Sequence, residues 1–320
     1  DLSDAKLFET NLAGARIEGA TLERMTDSLG FVAEQLYATN SYQRGTLRGV
    51  RLGGNTLNGW NLSGQFLADA DFTKSTLIGT DLSGADARGA MGLDLTGALV
   101  TNLILPDGFL DRLVLGSGDV LRVRNYDGNL MRGTPPLNIQ VQQSANIEGG
   151  RLQVLLNASE WNSTISFQPG IAVTLGGTLE LGFGDDVNVL SQVGRAFHLF
   201  DWSGVAPVGH FAVSSALPWD VTRLYADGEV TLLLPGDTNE DQLVNLADLN
   251  NVRNAFGASG PNVLGDTNGD STVDLLDLNN VRNYFGAAST SAVPEPAAWT
   301  LVCGALTVLF GYCRRWAKGC

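Results

Sequence analysis

The sequence predicts a multidomain, mainly β chain with one small α module and one terminal apolar helix. Three observations predict it. Apolar residues recur at every fifth position over residues 1–95. Apolar and polar residues alternate between Gly-rich turns over 96–235. Further on, an acidic dodecamer is written twice, DTNEDQLVNLAD at 237–248 and DTNGDSTVDLLD at 266–277, and an uncharged run follows the second copy.

The five-residue series comprises Leu2, Leu7, Leu12, Ile17 and Leu22, then Leu47, Leu52, Leu57, Leu62, Leu67, Phe72, Leu77 and Leu82. A step of five matches neither a helix nor an alternating strand. Small residues stand two positions before many of these, namely Ala5, Ala15, Ala20, Ala70, Ser75, Thr80 and Ala85. The pairing resembles pentapeptide-repeat proteins. That resemblance implies a square, right-handed β-solenoid over 1–95, four repeats to a coil, with the central residue on the axis and the small one also pointing inward. One coil cannot bury its own apolar face, so stacking must supply the stability. GFVAEQLYATNSYQ (30–43) interrupts the pattern and is expected to be a short helical insertion beside the solenoid. Leu22 and Leu47 are 25 residues apart, so the phase survives. The chain opens at Asp1 inside a repeat. It is therefore expected to be part of a longer protein, and the lack of a leader carries no weight.

Residues 96–235 carry the alternating segments RLQVLLN, STISF, IAVTLGGTLELGF and GEVTLLL. An all-β domain is expected, either a sandwich or a continued solenoid. Its histidines, His198 and His210, lie in strand-like apolar surroundings that suit packing better than catalysis. Asp185–Asp186 reads as a turn, although paired carboxylates are what a glycosidase needs. Trp161, Trp202 and Trp219 could stack on sugar rings or fill the core, with core favoured. No nucleophile elbow, zinc motif or phosphate loop is present.

In each dodecamer the oxygen-bearing residues fall at positions 1, 3, 5, 7, 9 and 12, a spacing that wraps a loop around a calcium ion. The first copy offers Asp237, Asn239, Asp241, the Leu243 carbonyl, Asn245 and Asp248; the second offers Asp266, Asn268, Asp270, the Thr272 carbonyl, Asp274 and Asp277. Hard oxygen donors without His or Cys favour Ca²⁺, in two sites. Val244 and Val273 at position 8 are expected to pair the two loops by a short backbone ladder. Leu246, Leu249, Val252 and Phe256, and Leu275, Leu278, Val281 and Phe285, follow at helical spacing. Gly257 and Gly286 then stop the helices.

No helix precedes either loop, and position 12 is Asp. Together these features resemble the dockerin module, over residues 236–286. The resemblance implies a cohesin-like or other protein receptor, gripped through Arg253, Asn254, Arg282 and Asn283. Two features depart from the family. Gln242 and Ser271 replace the position-6 glycine, and Leu246–Ala247 and Leu275–Leu276 replace a small hydroxyl pair at positions 10 and 11.

A linker (287–296) leads to Val293, Pro294, Glu295 and Pro296. Then come 17 uncharged residues, Ala297–Cys313, and a basic tail (314–320) with Arg314, Arg315 and Lys318. The run is just long enough for a transmembrane helix, and the basic tail orients residues 1–296 outward. The order resembles the PEP-CTERM sorting signal of Gram-negative and planctomycete surface proteins. That resemblance implies processing at the inner membrane by an exosortase near Val293–Pro296, then release to the cell surface or extracellular matrix. The three cysteines, Cys303, Cys313 and Cys320, all lie in this last stretch and identify no compartment.

All 34 acidic residues and 17 of the 20 basic ones lie in residues 1–296, a net charge of −17 there. Such a surface disfavours nucleic acid and attracts divalent cations. The leading expectation is an exported, non-enzymatic scaffold or interaction protein with a calcium-binding module. The alternatives are a polysaccharide-binding component, or a polysaccharide-degrading one, recruited through that module.

Overall fold

The computed structural model describes residues 2, 5–26, 29–129, 133–261 and 263–289. In the first part of the chain, backbone bridges join residues 20 apart: Thr46 to Phe66 to Asp86, Arg51 to Asp71 to Met91, and Thr56 to Thr76. Four five-residue repeats therefore make one coil. Axial N–H groups bond to the next coil, as from Leu47 to the Phe66 carbonyl at 2.9 Å and from Leu67 to that of Asp86 at 2.7 Å. The axial residues from Leu47 to Leu82 are at most 2 % exposed, so the apolar series fills the centre of the stack. Ala70, Ser75, Thr80 and Ala85 are buried beside them. The two hydroxyls survive burial because each finds a carbonyl: Ser75 Oγ donates to Leu52 O at 2.6 Å and Thr80 Oγ1 to Leu57 O at 2.7 Å.

Two residues after each axial position the chain turns a corner with positive φ. Glycine takes this place at 49, 54, 59, 64, 79, 84 and 89, whereas Asp69 (62°) and Lys74 (65°) take it with side chains. This corner requirement accounts for much of the glycine content.

The insertion forms two helices, α1 (Ala33–Tyr37) and α2 (Asn40–Gln43). Thr21 bridges Arg51, 30 residues on, so this coil is ten residues longer than the others and the five-residue phase is kept. Leu36 plugs into the solenoid core, and Phe31 packs edge-on against Trp60 with ring centroids 5.4 Å apart. The repeat ladder runs on through Asp86 to Ile104.

The middle region continues as coils with longer sides. One parallel sheet contains β1 (Phe109–Val114), β3 (Ile139–Ile147), β5 (Ile165–Phe167), β6 (Ala172–Leu175), β9 (Phe200–Asp201) and β10 (Val208–Gly209). The other contains β2 (Val120–Arg124), β4 (Arg151–Leu156), β7 (Thr178–Phe183) and β11 (Ala212–Ser214). In the second sheet Leu121, Leu152 and Leu179 lie in register, as do Val123, Val154 and Leu181, all facing inward. Of the two architectures the alternation allowed, this is the solenoid. A short antiparallel sheet, β8 (Ala196–His198), β12 (Trp219–Asp220) and β13 (Glu229–Leu232), completes the region.

The two solenoid regions are joined by a buried charged network. Arg88 is fully buried and donates to both Asp86 carboxylate oxygens (2.6 Å at the closest), to Leu137 O (2.7 Å), to Ser163 Oγ (2.8 Å) and to Arg124 O (2.9 Å). Tyr126, beneath this guanidinium, donates its hydroxyl to Asp69 at 2.9 Å. Every guanidinium nitrogen is used, which lets a buried charge persist.

The chain ends its described part with α3 (Leu246–Ala255) and α4 (Leu275–Asn283), packed on Leu234, Val244, Val252, Val273 and Val281. Among the described residues no helix is long and apolar enough to cross a membrane. The expected span 297–313, the tail 314–320 and the motif Val293–Pro296 lie outside the described residues.

Candidate functional site: the paired acidic loops

Both dodecamers fold the same way. The first carboxylate turns back onto backbone N–H groups: Asp237 accepts from Asp241 N (3.2 Å) and Gln242 N (2.8 Å), Asp266 from Gly269 N and Ser271 N (2.8 Å each). The fifth residue accepts from the seventh, Leu243 N to Asp241 and Thr272 N to Asp270, both at 2.9 Å. Asn239 and Asn268 each donate to that same carboxylate at 3.0 Å. Asn245 and Asp274 cap α3 and α4 by accepting from Ala247 N and Leu276 N at 2.7 Å.

The sharp turn demands positive φ at positions 4 and 6. Glu240 (58°) and Gln242 (69°) supply it in the first loop, Gly269 (75°) and Ser271 (69°) in the second. The two non-glycine residues at position 6 thus accept the strained conformation.

Position 12 is buried. Asp248 and Asp277 are 0 % exposed. Asp248 accepts from Thr238 N (2.8 Å), Thr238 Oγ1 (2.9 Å) and Asn245 N (2.8 Å), and Asp277 accepts from Thr267 N (2.6 Å), Thr267 Oγ1 (2.9 Å) and Asp274 N (2.7 Å). Asn251 and Asn280 in turn donate to those threonine hydroxyls at 2.8 and 2.9 Å. Thr238, Thr267, Asn251 and Asn280 were not singled out by the ligand spacing. Their signal is the second-position Thr in both DTN motifs and the Asn in both LNNVRN motifs.

The expected ladder between Val244 and Val273 is not what forms. Val244 pairs with the segment after α4, giving its N–H to Ala287 O (2.9 Å) and accepting from Gly286 N (2.8 Å). Val273 pairs in the same way with the segment after α3, through Ala258 O (3.0 Å) and Gly257 N (2.8 Å). Each loop is thus tied to the exit of a helix, in a two-fold-like exchange, because the position-8 strands need a partner and the helix exits deliver extended chain alongside them. The flanking bonds use the carbonyls of Gln242, Val244, Ser271 and Val273, and not those of Leu243 and Thr272 at position 7. The glycines before the loops seal the exchange. A Cβ on Gly236 would stand 2.9 Å from Val281 Cα in α4, and one on Gly265 3.0 Å from Asn251 O in α3.

Among the described residues no ion pair reaches an acid of either loop. Burial, together with the charges of Asp248 and Asp241, raises the Asp237 carboxyl above its ordinary range. Burial works the same way on Asp270, but bonds from Thr272 and Asn268 outweigh it and hold that carboxyl low. Leu243 replaces the Thr272 hydroxyl in the first loop, so the two loops differ electrostatically. The donor set is hard oxygen throughout, which suits Ca²⁺. Among the described residues, however, no three His, Cys, Asp or Glu side chains converge on one point. The reason is visible: Asp248 and Asp277 are drawn to Thr238 and Thr267.

The four expected receptor-contacting residues, Arg253, Asn254, Arg282 and Asn283, are exposed near the ends of α3 and α4. Leu246, Phe256, Leu275, Leu276 and Phe285 are exposed as well, so the helical apolar spacing feeds the core only through its middle members.

In the middle region His198 is exposed on β8, opposite Glu229. His210 is exposed against Tyr225, with ring centroids 4.5 Å apart. Trp202 is buried between Phe167 and Phe200 and donates to Leu224 O at 2.8 Å. Trp219 stacks on Phe183, and Trp161 is packed against the same core. Asp185 pairs with Arg44 of the first solenoid at 2.7 Å.

The five-residue coils and their axial residues define a pentapeptide-repeat β-solenoid. The pentapeptide-repeat family matches residues 57–90, in eight copies. No curated protein and no solved structure matches the chain.

Proposed function

We propose that this chain is an exported scaffold or interaction protein of the cell surface or extracellular matrix, whose paired loops bind two Ca²⁺ ions and thereby present a dockerin-like face to a protein receptor. The observation that carries this reading is the duplicated loop geometry. The same carboxylate turns and the same positive-φ positions occur in both copies, and among the described residues the position-7 carbonyl accepts no backbone bond in either. Filling the sites would draw Asp248 and Asp277 from their threonines, and among the described residues no cationic side chain pairs with the acids of either loop. The exposed Arg253, Asn254, Arg282 and Asn283 are the receptor-contacting residues of this proposal. The order of PEP motif, apolar run and basic tail supports export and processing by an exosortase-type enzyme.

Calorimetric titration of the full chain after chelator treatment tests the metal. Two Ca²⁺ per chain are expected, and one after Asp266→Ala with Asp277→Ala. No binding to the unaltered chain, or two sites persisting in the variant, refutes the assignment. Trp202 and Trp219 lend no exposed stacking platform to a polysaccharide reading through those residues.

A further inference from the structure

A groove of about 680 Å³ lies where the helical insertion of the first solenoid meets the outer face of the second sheet. Its size is that of small-molecule sites. Four arginines line it, Arg44, Arg48, Arg122 and Arg124, in a chain whose net charge is −14. Arg122 and Arg124 alternate along β2, so both point outward from one face of the sheet.

The four are not equally engaged. Arg44 pairs with Asp185, and Arg48 with Asp69. Arg124 donates to the carbonyls of Gly45 and Arg44 at 2.7 Å each, and Arg122 donates its Nε to Gln153 at 2.5 Å. Among the described residues neither Arg122 nor Arg124 has a carboxylate in an ion pair. Burial, then repulsion from Arg122 and Arg44, pushes the Arg124 guanidinium down to about 10. Asp185 and Asp186 also line the groove, Asp185 held by Arg44, so the charge left without an ion-pair partner among the described residues is that of Arg122 and Arg124.

The rest of the lining narrows the ligand. Asn157 and Gln43 supply amides that can meet hydroxyls, and Phe183 supplies flat apolar surface, whereas Asn125 is buried and spent on Asp127, Asn157 and Glu160, and Phe66 is buried beneath Arg124. A bare inorganic anion would use only the guanidinium groups. A long polyanion would leave the groove and meet an acidic protein. We propose that this groove binds a short anionic saccharide, its carboxylate or sulfate held by Arg122 and Arg124, its hydroxyls by Gln43 and Asn157 and a C–H face against Phe183. The proposal is independent of the paired loops and of calcium.

Calorimetry of the full chain tests it with five probes: trigalacturonate, a sulfated trisaccharide, uncharged maltotriose, a single-stranded hexanucleotide and inorganic phosphate. A charged trisaccharide is expected to bind at least about tenfold more tightly than the other three kinds of probe, since each charge-assisted contact is worth about a factor of ten. Whichever charged sugar binds more tightly identifies the oxyanion. Arg122→Gln, which disturbs one side-chain contact, should cost about tenfold without shifting the melting temperature. Should it shift, Arg122→Lys provides the second reading, keeping the charge and losing the fork, with an intermediate loss expected. Equal binding of maltotriose, the nucleotide or phosphate overturns the proposal. So does the absence of sugar binding, or an unchanged affinity in both Arg122 variants.

Discussion

Ser271 and Gly269 permit a paired test of the loop backbone, because they occupy the same kind of turn with opposite side-chain status. Ser271 holds φ 69° and Gly269 φ 75°. The Ser271 side chain is exposed, its hydroxyl makes no hydrogen bond among the described residues, and a Cβ at Gly269 would meet nothing within 4 Å. Packing is therefore silent at both sites, and only the backbone speaks. A side chain in the left-handed region costs about 1–2 kcal/mol, and glycine gives back about 0.5–1 kcal/mol through the freer unfolded chain. Ser271→Gly should consequently stabilise the second loop by about 0.5–1 kcal/mol, and Gly269→Ala should destabilise it by a similar amount. Hydrogen exchange of the α4 amides reads this locally, with protection rising or falling about two- to fivefold. Saturation with Ca²⁺ at 100 times its dissociation constant would add about 2.7 kcal/mol per site to both variants alike. If Ser271→Gly lowers protection, or both substitutions move it in the same direction, the strain argument fails.

Two further outcomes follow from the solenoid. Arg88→Met strands the buried Asp86 carboxylate and should cost about 3–5 kcal/mol in urea unfolding. Asp86→Asn with Arg88→Met should recover part of that cost, and a double variant no better than the single would sink the network's role. Leu62→Ala on the axis should cost about 2–5 kcal/mol. Ile78→Ala, at a side chain 62 % exposed, should stay within about 0.5 kcal/mol, so equal effects in the same assay would contradict the axial assignment.

The five-residue period was legible because every repeat must send one residue to the axis, and Leu47 through Leu82 obey that without exception. The interruption at 30–43 showed as a break in the five-residue series, but that it folds as two helices and sends Leu36 and Phe31 into the core did not show, because those contacts depend on coils far along the chain. In the middle region, alternation specified which faces are buried but not which strands are neighbours. Leu121, Leu152 and Leu179 would alternate identically in a sandwich, and only their parallel register makes the coil. Arg88 gave no signal at all. A fully buried arginine is favoured only when Asp86, Leu137, Ser163 and Arg124 converge on it from four places in the chain. The arginine groove was hidden for the same reason, as Arg44 and Arg124 are brought together by folding alone. At the loops, spacing marked the repeated Asp and Asn positions whose turns the two copies share, but not the threonines that hold Asp248 and Asp277. The exchange of Val244 and Val273 with the opposite helix exits depends on long-range pairing that no local spacing encodes.

The two loops are near copies, yet they are not equivalent within the protein. Asn280 donates to Thr267, which holds Asp277, and also donates to Ala216 O of the middle region at 3.0 Å. One side chain therefore links the second loop's buried carboxylate to the β coils. Asn251 makes the corresponding bond to Thr238 in the first loop, but among the described residues no side-chain bond carries that loop on to the coils. Leu234, at the end of the β region, lies in the same core as Val252 and Val281, so the module sits against its neighbour. Any rearrangement that freed Asp277 from Thr267 would act on a threonine already fastened to the coils through Asn280. Among the described residues Asn280 is thus the one side chain whose bonds carry a loop's buried carboxylate on to the coils, whereas the first loop meets them through the main chain, where Asp237 N donates to Leu234 O at 3.3 Å.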